Sequence, residues 1–472
     1  MAVVAATRTA EPRSTAVTPA AEITGPPGPG LLQTGLAVLQ PIQTRLAARR
    51  RYGPVFRTGD AIAGDLVHIA DREMIEEIFR WKPEQYKVAE PREVMEPVTG
   101  PSSILLLDGD RHMRMRKLML PPFHGKAIAH YAQLIEEITE REVERWHPGE
   151  RIRTRGVAQR ITLEVIIRAV FGIEDPERIA ELRRVLPRLS SPSPFLLLVQ
   201  KDLGPLSPWG RFVRLRDRVD ELLYREIRER RGDPGREEPL RGDPSGPTPR
   251  ADILTLLLSA RDEEGEPLSD RELRDQLITL LLAGHETTAT SIGWAFERLL
   301  RAPAALERLT AEVKAGEGGE YLEAVINETF RVRPVVPEVF RAPTETTELG
   351  GYVFDVGQQL AVSIMLVQYD PELYPPDPEA FRPERFLDGA PEPYTLVPFG
   401  GGVRRCLGAA FAQLEIRTVL QTVAARATLR ATDTAPERIR LRHVTLVPEH
   451  GARVTMQRRA VDAPGAPAVT YA

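Results

Sequence analysis

Phe399-Gly400-Gly401-Gly402-Val403-Arg404-Arg405-Cys406-Leu407-Gly408 decides how this chain is read, because it holds the only cysteine among 472 residues. One cysteine forms no intrachain disulfide, and an unpaired cysteine is most often a small buried hydrophobe. The surroundings argue otherwise. Three successive glycines permit positive φ and close backbone approach, and two arginines stand immediately before the sulfur, where positive charge favours the thiolate. Chance placement of Phe399, Gly402, Arg404, Cys406 and Gly408 at these spacings is on the order of 10⁻⁴ per chain at average residue usage.

A 42% apolar fraction is ample for one large core, and long helices let a chain of this length fold as a single domain. A net charge of −4 leaves no basic excess for nucleic acid. No apolar run approaches the roughly 18 residues of a spanning helix, and residues 1–24 lack a signal-peptide core. The expectation is a cytoplasmic protein without a membrane span. Gly25-Pro26-Pro27-Gly28-Pro29-Gly30 is a stiff, irregular lead-in. It places a disordered segment at 1–24, the folded domain at 25–460 and a flexible tail at 461–472. Residues 232–250 can pack nothing and read as a surface loop.

Strand-like alternation runs from Val55 to Ile69, and helical patterns from Met74 to about Arg231. Ser269-Asp270-Arg271-Glu272 is a capping box with no proline until Pro303. That spacing predicts a helix of about 33 residues, about 50 Å long. Glu320 to Arg331 reads as a shorter helix, and Val339 to Met365 as strands turning at Gly350-Gly351. Cys406 to Ala425 is helical again, and strands at 439–447 and 452–459 flank Pro448-Glu449-His450-Gly451. The sum is a mainly α domain with small β-sheets.

The long helix is apolar over Leu277-Ile278-Thr279-Leu280-Leu281-Leu282 and turns polar at Ala283-Gly284-His285-Glu286-Thr287-Thr288. A polar patch inside a central helix needs partners or a function. Threonine hydroxyls returning to carbonyls four residues earlier, with the Glu reaching solvent, would satisfy it structurally. Zinc in the H-E-x-x-H form is excluded, because residue 289 is alanine. Glu328 and Arg331, at i and i+3, would ordinarily be a solvated pair.

Taken together, these segments resemble the haem-thiolate monooxygenases, the cytochrome P-450 family, over roughly residues 25–460. The resemblance implies that family's fold, one domain with a long central helix over the haem, and haem b (heme, iron protoporphyrin IX) as cofactor. It makes Cys406 the axial iron ligand, whose thiolate favours O–O cleavage, and assigns Phe399 to the same cofactor-binding loop. Ala283-Gly284-x-Glu286-Thr287-Thr288 matches the oxygen-activation motif. There Gly284 would weaken the helix to admit dioxygen, Thr287 would hold a hydroxyl and a water beside the bound oxygen, and Glu286 would relay protons from solvent. Arg341, Arg404 and the i, i+4 pair His112 and Arg116 would meet the haem propionates, although many members have tryptophan where this chain has His112. Phe381-Arg382-Pro383-Glu384-Arg385-Phe386 matches a segment whose Arg385 would join Glu328 and Arg331 in a buried network.

The implied activity is insertion of one oxygen atom from O2 into an apolar small molecule, by hydroxylation or epoxidation. Electrons would come from NAD(P)H through a reductase and a ferredoxin- or flavodoxin-type donor, steered to Arg111, Arg114, Lys117 and Arg405. The chain ends soon after Cys406, so the reductase is expected to be a separate protein, and the lack of an anchor in residues 1–24 points to the soluble bacterial type. A peroxide-using hydroxylase or a dioxygen-independent isomerase could dispense with Glu286-Thr287, and a noncatalytic relative with Cys406. By the same resemblance the substrate pocket is lined by Met95, Val98 and Ile104 before the His112 helix, and by Leu282 and Ala283 beside the oxygen site. Val336 and Val339 after Arg331, with Leu446 and Val447 near the C-terminus, complete it. Pro194-Phe195-Leu196-Leu197-Leu198 would form a lid, with a plain core helix as the alternative.

Overall fold

The computed structural model describes residues 17–459 apart from 62–63, 89–94, 125, 190–199, 202–203, 233–251 and 317. The expected lid at 194–198, the loop from 233 onward and the tail at 461–472 lie outside the described residues. Among the described residues the first regular element is β1 (Thr18–Pro19).

Helices α1 (Gly30–Leu39) and α2 (Pro41–Tyr52) precede a hairpin of β2 (Val55–Asp60) and β3 (Gly64–Ile69). Next come α3 (Arg72–Arg80), β4 (Tyr86–Lys87), the single turn α4 (Glu96–Thr99), α5 (Gly109–Met119) and α6 (Lys126–Val143). Strand β5 (Arg151–Arg153) leads into α7 (Thr154–Val165), which is followed by α8 (Pro176–Leu189), α9 (Pro208–Arg231) and α10 (Ile253–Ser259). The central helix α11 covers Asp270–Leu299. Its start follows from the capping box: Glu272 N donates to Ser269 Oγ at 3.2 Å and Ser269 N to Glu272 Oε2 at 2.9 Å. It stops short of the expected 33 residues because Pro303 opens the next helix, α12 (Pro303–Ala315), and the residue before a proline is driven out of the helical region.

Helix α13 (Glu320–Val332) carries the Glu328–Arg331 pair, and both side chains are fully buried rather than solvated. Arg331 donates to both oxygens of Glu328 at 2.7 Å and to the carbonyls of Gln368, Pro378 and Ala380 at 3.0, 2.6 and 2.9 Å. Arg385 stands 3.7 Å from Glu328, completing the expected network as an ion pair beyond hydrogen-bond reach.

Five strands form a mixed sheet in the order β2-β3-β9-β6-β4, where β6 is Glu338–Pro343 and β9 is Gln359–Ser363. Between them the hairpin of β7 (Thr347–Leu349) and β8 (Tyr352–Phe354) turns at Gly350 and Gly351, with φ of 60° and 83°, as a tight two-residue turn requires. The strand pattern expected to reach Met365 ends earlier. Ser363 caps a buried helix, α14 (Ile364–Gln368), and an apolar run buried on all sides carries no alternation to reveal its period.

The last helix, α15 (Ala409–Arg426), starts after Cys406 rather than at it. Beyond β10 (Ala427–Ala431), the single strand expected at 439–447 is a hairpin of β11 (Ile439–Arg442) and β12 (Thr445–Pro448). Strand β13 (Arg453–Arg459) pairs with β10 and β5 instead, setting Met456 opposite Leu429 and Val454 opposite Ile152. Helix α11 packs along α7 and against α15, and α15 lies on α6, so the helical core surrounds the middle of α11.

Candidate active site

The cysteine loop is folded by its glycines. Gly400 and Gly402 take φ of 66° and 65°, and a Cβ on Gly402 would fall 2.0 Å from the Phe79 carbonyl oxygen. One on Gly401 would fall 2.2 Å from the Phe79 ring. Only glycine lets the end of α3 lie this close. Cys406 N donates to Phe399 O at 2.9 Å, and the Phe399 ring meets Phe330 of α13 edge-on at 5.1 Å. The loop is thus wedged between α3 and the helix that holds Arg331.

Burial pushes the Cys406 thiol up, while the Gly408 N–H, Arg116 and Arg405 favour its thiolate. The side chain is nevertheless exposed. Both hold for a sulfur that protein crowds on most sides while part of the residue stays open to solvent.

The fold gathers the four residues expected to face the propionates around His112, with Arg116 also beside Cys406. His112 and Arg116 come from α5, Arg341 from β6 and Arg404 from the cysteine loop. Burial, reinforced by Arg404 and Arg116, holds the His112 pKa down at about 3, so its ring is neutral. Burial, with Arg404 adding to it, lowers Arg341 to about 10, and burial also lowers Arg116. Arg404 bonds Asp108 at 2.7 Å, and Arg341 lies over the Tyr86 ring at 4.9 Å. Arg116 has no acidic partner among the described residues. Three guanidinium groups that depress their neighbours, countered chiefly by Asp108, form a site that fits an added dianion such as the two propionates of haem.

The middle of α11 carries the second group of candidate residues. From Leu273 to Glu297 every residue is buried except Leu280, Leu282, Ala283, Gly284, Glu286 and Thr287. Leu280, Ala283, Gly284 and Thr287 are spaced i, i+3, i+4, i+7 and share one face. The helix runs unbroken through this stretch, and Thr287 Oγ1 donates to Ala283 O at 2.5 Å. A Cβ on Gly284 would meet only Ile166 Cδ1, at 3.8 Å, so space alone does not require glycine there. An exposed sulfur and a rim of arginines are the donor set that a haem needs, and the accessible stripe on α11 is the stretch of that helix not packed into the core.

Glu286 does not reach freely into solvent. Arg155 Nη2 grips both its oxygens at 2.6 and 2.9 Å, and Gln159 Nε2 does so at 2.9 and 3.1 Å. Arg442, itself 43% exposed, approaches to 3.9 Å. On the same side of α11, Thr162 Oγ1 donates to His285 O at 3.2 Å. The His285 ring, kept neutral by burial, bonds the Gln159 carbonyl at 3.0 Å. Arg155, Gln159 and Thr162 were missed in the sequence. The signal was present: polar groups at i, i+4 and i+7 share one face of α7, which is otherwise mostly apolar.

Five of the nine expected pocket residues, Met95, Leu282, Ala283, Val336 and Val339, keep accessible surface. Val98, Ile104, Leu446 and Val447 are instead packed into the core, Leu446 through the Trp294 indole bonded to its carbonyl at 2.9 Å. Of the expected donor-facing cations, Arg114 is bound to Asp262 and Glu272 at 2.6 and 2.9 Å and Lys117 to Glu263 at 2.7 Å. The acidic turn after α10 folds back onto α5, leaving Arg111 and Arg405 exposed.

The family model described as Cytochrome P450 matches residues 27–456. This chain belongs to the cytochrome P450 family. It is 41% identical over 442 residues to the putative cytochrome P450 135B1 of Mycobacterium tuberculosis (strain ATCC 25618 / H37Rv), covering 92% of this chain and 91% of that protein. It is 39% identical over 438 residues to the putative cytochrome P450 138 of the same strain, covering 92% and 95%. A solved P450 described as retinoic acid bound cyanobacterial CYP120A1 matches with a TM-score of 0.76 at 25% identity, over 93% of this chain and 100% of that one. The cytochrome P450DA heme domain matches in fold with the same TM-score at 22% identity, over 96% and 100%. As a P450, the chain has the family's fold, uses haem b and is a haem-thiolate monooxygenase. No helix among the described residues is long and apolar enough to cross a membrane.

Proposed function

We propose that this P450 hydroxylates or epoxidises an apolar small molecule in the cytoplasm, with electrons from NAD(P)H delivered by a separate reductase and a ferredoxin- or flavodoxin-type donor. The balance is substrate, O2, NAD(P)H and one proton giving oxygenated product, water and NAD(P)⁺. The observation that carries the reading is the adjacent acid and alcohol, Glu286 and Thr287, on the accessible stretch of α11 that also holds Leu282 and Ala283.

When bound, haem b supplies oxygen activation, with Cys406 Sγ as iron ligand and His112, Arg116, Arg341 and Arg404 toward its propionates. The chain's own residues do the rest. Thr287 Oγ1 shares its proton with Ala283 O and keeps lone pairs free to accept another hydrogen bond. Glu286 is the acid on the solvent side, and with Arg442 partly exposed at 3.9 Å its carboxylate is one side chain from bulk water. Arg155 and Gln159 hold that carboxylate in place, and it takes a proton from solvent for each one it passes inward. The aliphatic walls bind ligand by burying its surface, at about 25 cal/mol per Å² before the costs of association. Retinoic acid in the cyanobacterial relative supports a largely apolar ligand.

A screen of compound classes for the spin-state change on binding tests this reading. Lipophilic compounds should shift the Soret band, and a screen in which only small, highly polar compounds bind overturns it.

A further inference from the structure

Helix α1 faces the wrong way for a soluble protein. Its sequence, GLLQTGLAVL, contains no charge, and its two polar side chains are turned inward. Gln33 Nε2 donates to the carbonyls of Pro26 and Gly28 at 3.0 and 2.9 Å, and its Oε1 accepts from Gly59 N at 3.1 Å. Thr34 Oγ1 bonds Asp60 at 3.2 Å and accepts from Ala61 N at 2.9 Å. The aliphatic side chains point outward: Leu31 is 78% exposed, Leu32 58%, Leu36 45%, Val38 41% and Leu39 61%. Five of the ten large exposed hydrophobics among the described residues therefore lie on this one helix. A helix in a water-facing position buries its apolar side and shows its polar one. This one does the reverse, and a contiguous apolar patch of this kind marks an interaction surface.

We propose that α1 is a docking surface for an anionic phospholipid bilayer, lying in the headgroup plane with its leucines inserted. Three observations select a bilayer. First, the outward side chains of α1 include no hydrogen-bonding group, whereas protein interfaces carry about one hydrogen bond per 100–200 Å². Second, ten residues make a rod of about 15 Å, too short to span a membrane but suited to lie along its surface. Third, the flanking charge is complementary. Residues 30–59 contain five arginines and no acid, in a chain of net charge −4. Arg45 and Arg49 are committed inward to Glu338 and Asp370, and Arg57 pairs with Asp65. Arg50 and Arg51 at the end of α2 are exposed, Arg50 with the exposed Glu379 at 3.6 Å. Strand β11, which packs beside α1 and α2, exposes Arg442, with Arg438 just ahead of it, and Arg440, which pairs with Glu449 at 2.6 Å. Arginines near such a surface are drawn to acidic headgroups.

The test is flotation of the full-length holoenzyme with vesicles of phosphatidylcholine alone and of phosphatidylcholine with phosphatidylglycerol. The parent should float with the vesicles, more strongly with the anionic ones. Leu32→Gln with Leu36→Gln should weaken that binding by about tenfold or more, leaving the carbon monoxide spectrum and circular dichroism unchanged. Arg50→Gln with Arg51→Gln should reduce only the preference for phosphatidylglycerol. A parent that stays with free protein in both gradients overturns the proposal, as does leucine-independent binding. It is also overturned if light scattering shows a concentration-dependent dimer that the leucine variants abolish, which would make the patch a contact between two copies.

Discussion

Arg331→Ala should remove the cysteine loop's support, and the size of the effect follows from the contacts. Arg331 and Glu328 are both 0% exposed, and the guanidinium makes five hydrogen bonds, two to Glu328 and three to backbone carbonyls. Alanine leaves Glu328 with the Arg382 N–H at 2.8 Å and Arg385 at 3.7 Å. Breaking a buried pair from one side costs about 3–5 kcal/mol, and each orphaned carbonyl adds about 1 kcal/mol. The total, about 6–8 kcal/mol, approaches the whole stability of an ordinary domain, about 5–15 kcal/mol. Arg331→Ala should therefore be recovered largely without haem, and any folded fraction should lack the thiolate-type carbon monoxide band. Glu328→Leu with Arg331→Leu removes the stranded charge and leaves only the carbonyls, so it should lose less than Arg331→Ala alone. Urea titration followed by circular dichroism, with the carbon monoxide difference spectrum on the same samples, measures both. An Arg331→Ala protein with the parent's urea midpoint and spectrum refutes the reasoning, and a double variant worse than the single one refutes the stranded-charge account.

Cys406→Ser should abolish the red-shifted carbon monoxide Soret band of the reduced protein; a persisting thiolate-type band would place the ligand elsewhere. Thr287→Ala should keep haem and substrate binding but divert electrons to hydrogen peroxide, whereas Glu286→Gln should slow turnover with a larger solvent isotope effect; unchanged coupling and rate would show that another group delivers protons. Arg155→Met strands Glu286 with only Gln159 and Arg442, at a cost of about 3 kcal/mol, and should lower the thermal midpoint while sparing the carbon monoxide spectrum, because Arg155 bonds Glu286 and Thr290 rather than the cysteine loop. Burial raises Glu415 on α15 to about 8, so the fold keeps a proton that the unfolded chain releases from about pH 4.5 upward. Its contribution should be full below about 4.5 and lost by about pH 8, at most about 5 kcal/mol; Glu415→Gln should flatten the fall in thermal midpoint across that window, and parallel pH profiles for the two proteins would exclude it.

Features written in short spacings were legible along the chain. The capping box placed the start of α11, paired glycines placed the β7–β8 turn, and the run from Phe399 to Gly408 placed the sulfur among glycines and arginines. Each is a local rule, in which backbone dihedrals or an i, i+3 contact are set by neighbours along the chain. The family resemblance named His112, Arg116, Arg341 and Arg404 as one group, and the fold sets the three arginines near His112.

Only the tertiary structure decided which groups meet across long sequence distances. Nothing near Glu286 announces that Arg155 and Gln159 will hold it, because that pairing depends on how α7 crosses α11. Arg114 and Lys117 read as free cations until the turn after α10 brings Asp262 and Glu263 against them. Strand β13 pairs with β10 and β5 rather than with its sequence neighbour β12, because ladder hydrogen bonds run in the plane of the sheet to whichever strand edge the fold brings alongside. Val98 and Leu446 are as apolar as Val336, yet they pack into the core while Val336 keeps accessible surface. Hydrophobicity drives a side chain out of water without naming the surface that receives it, and on α1, turned leucine-side out, the rest of the fold sets the direction.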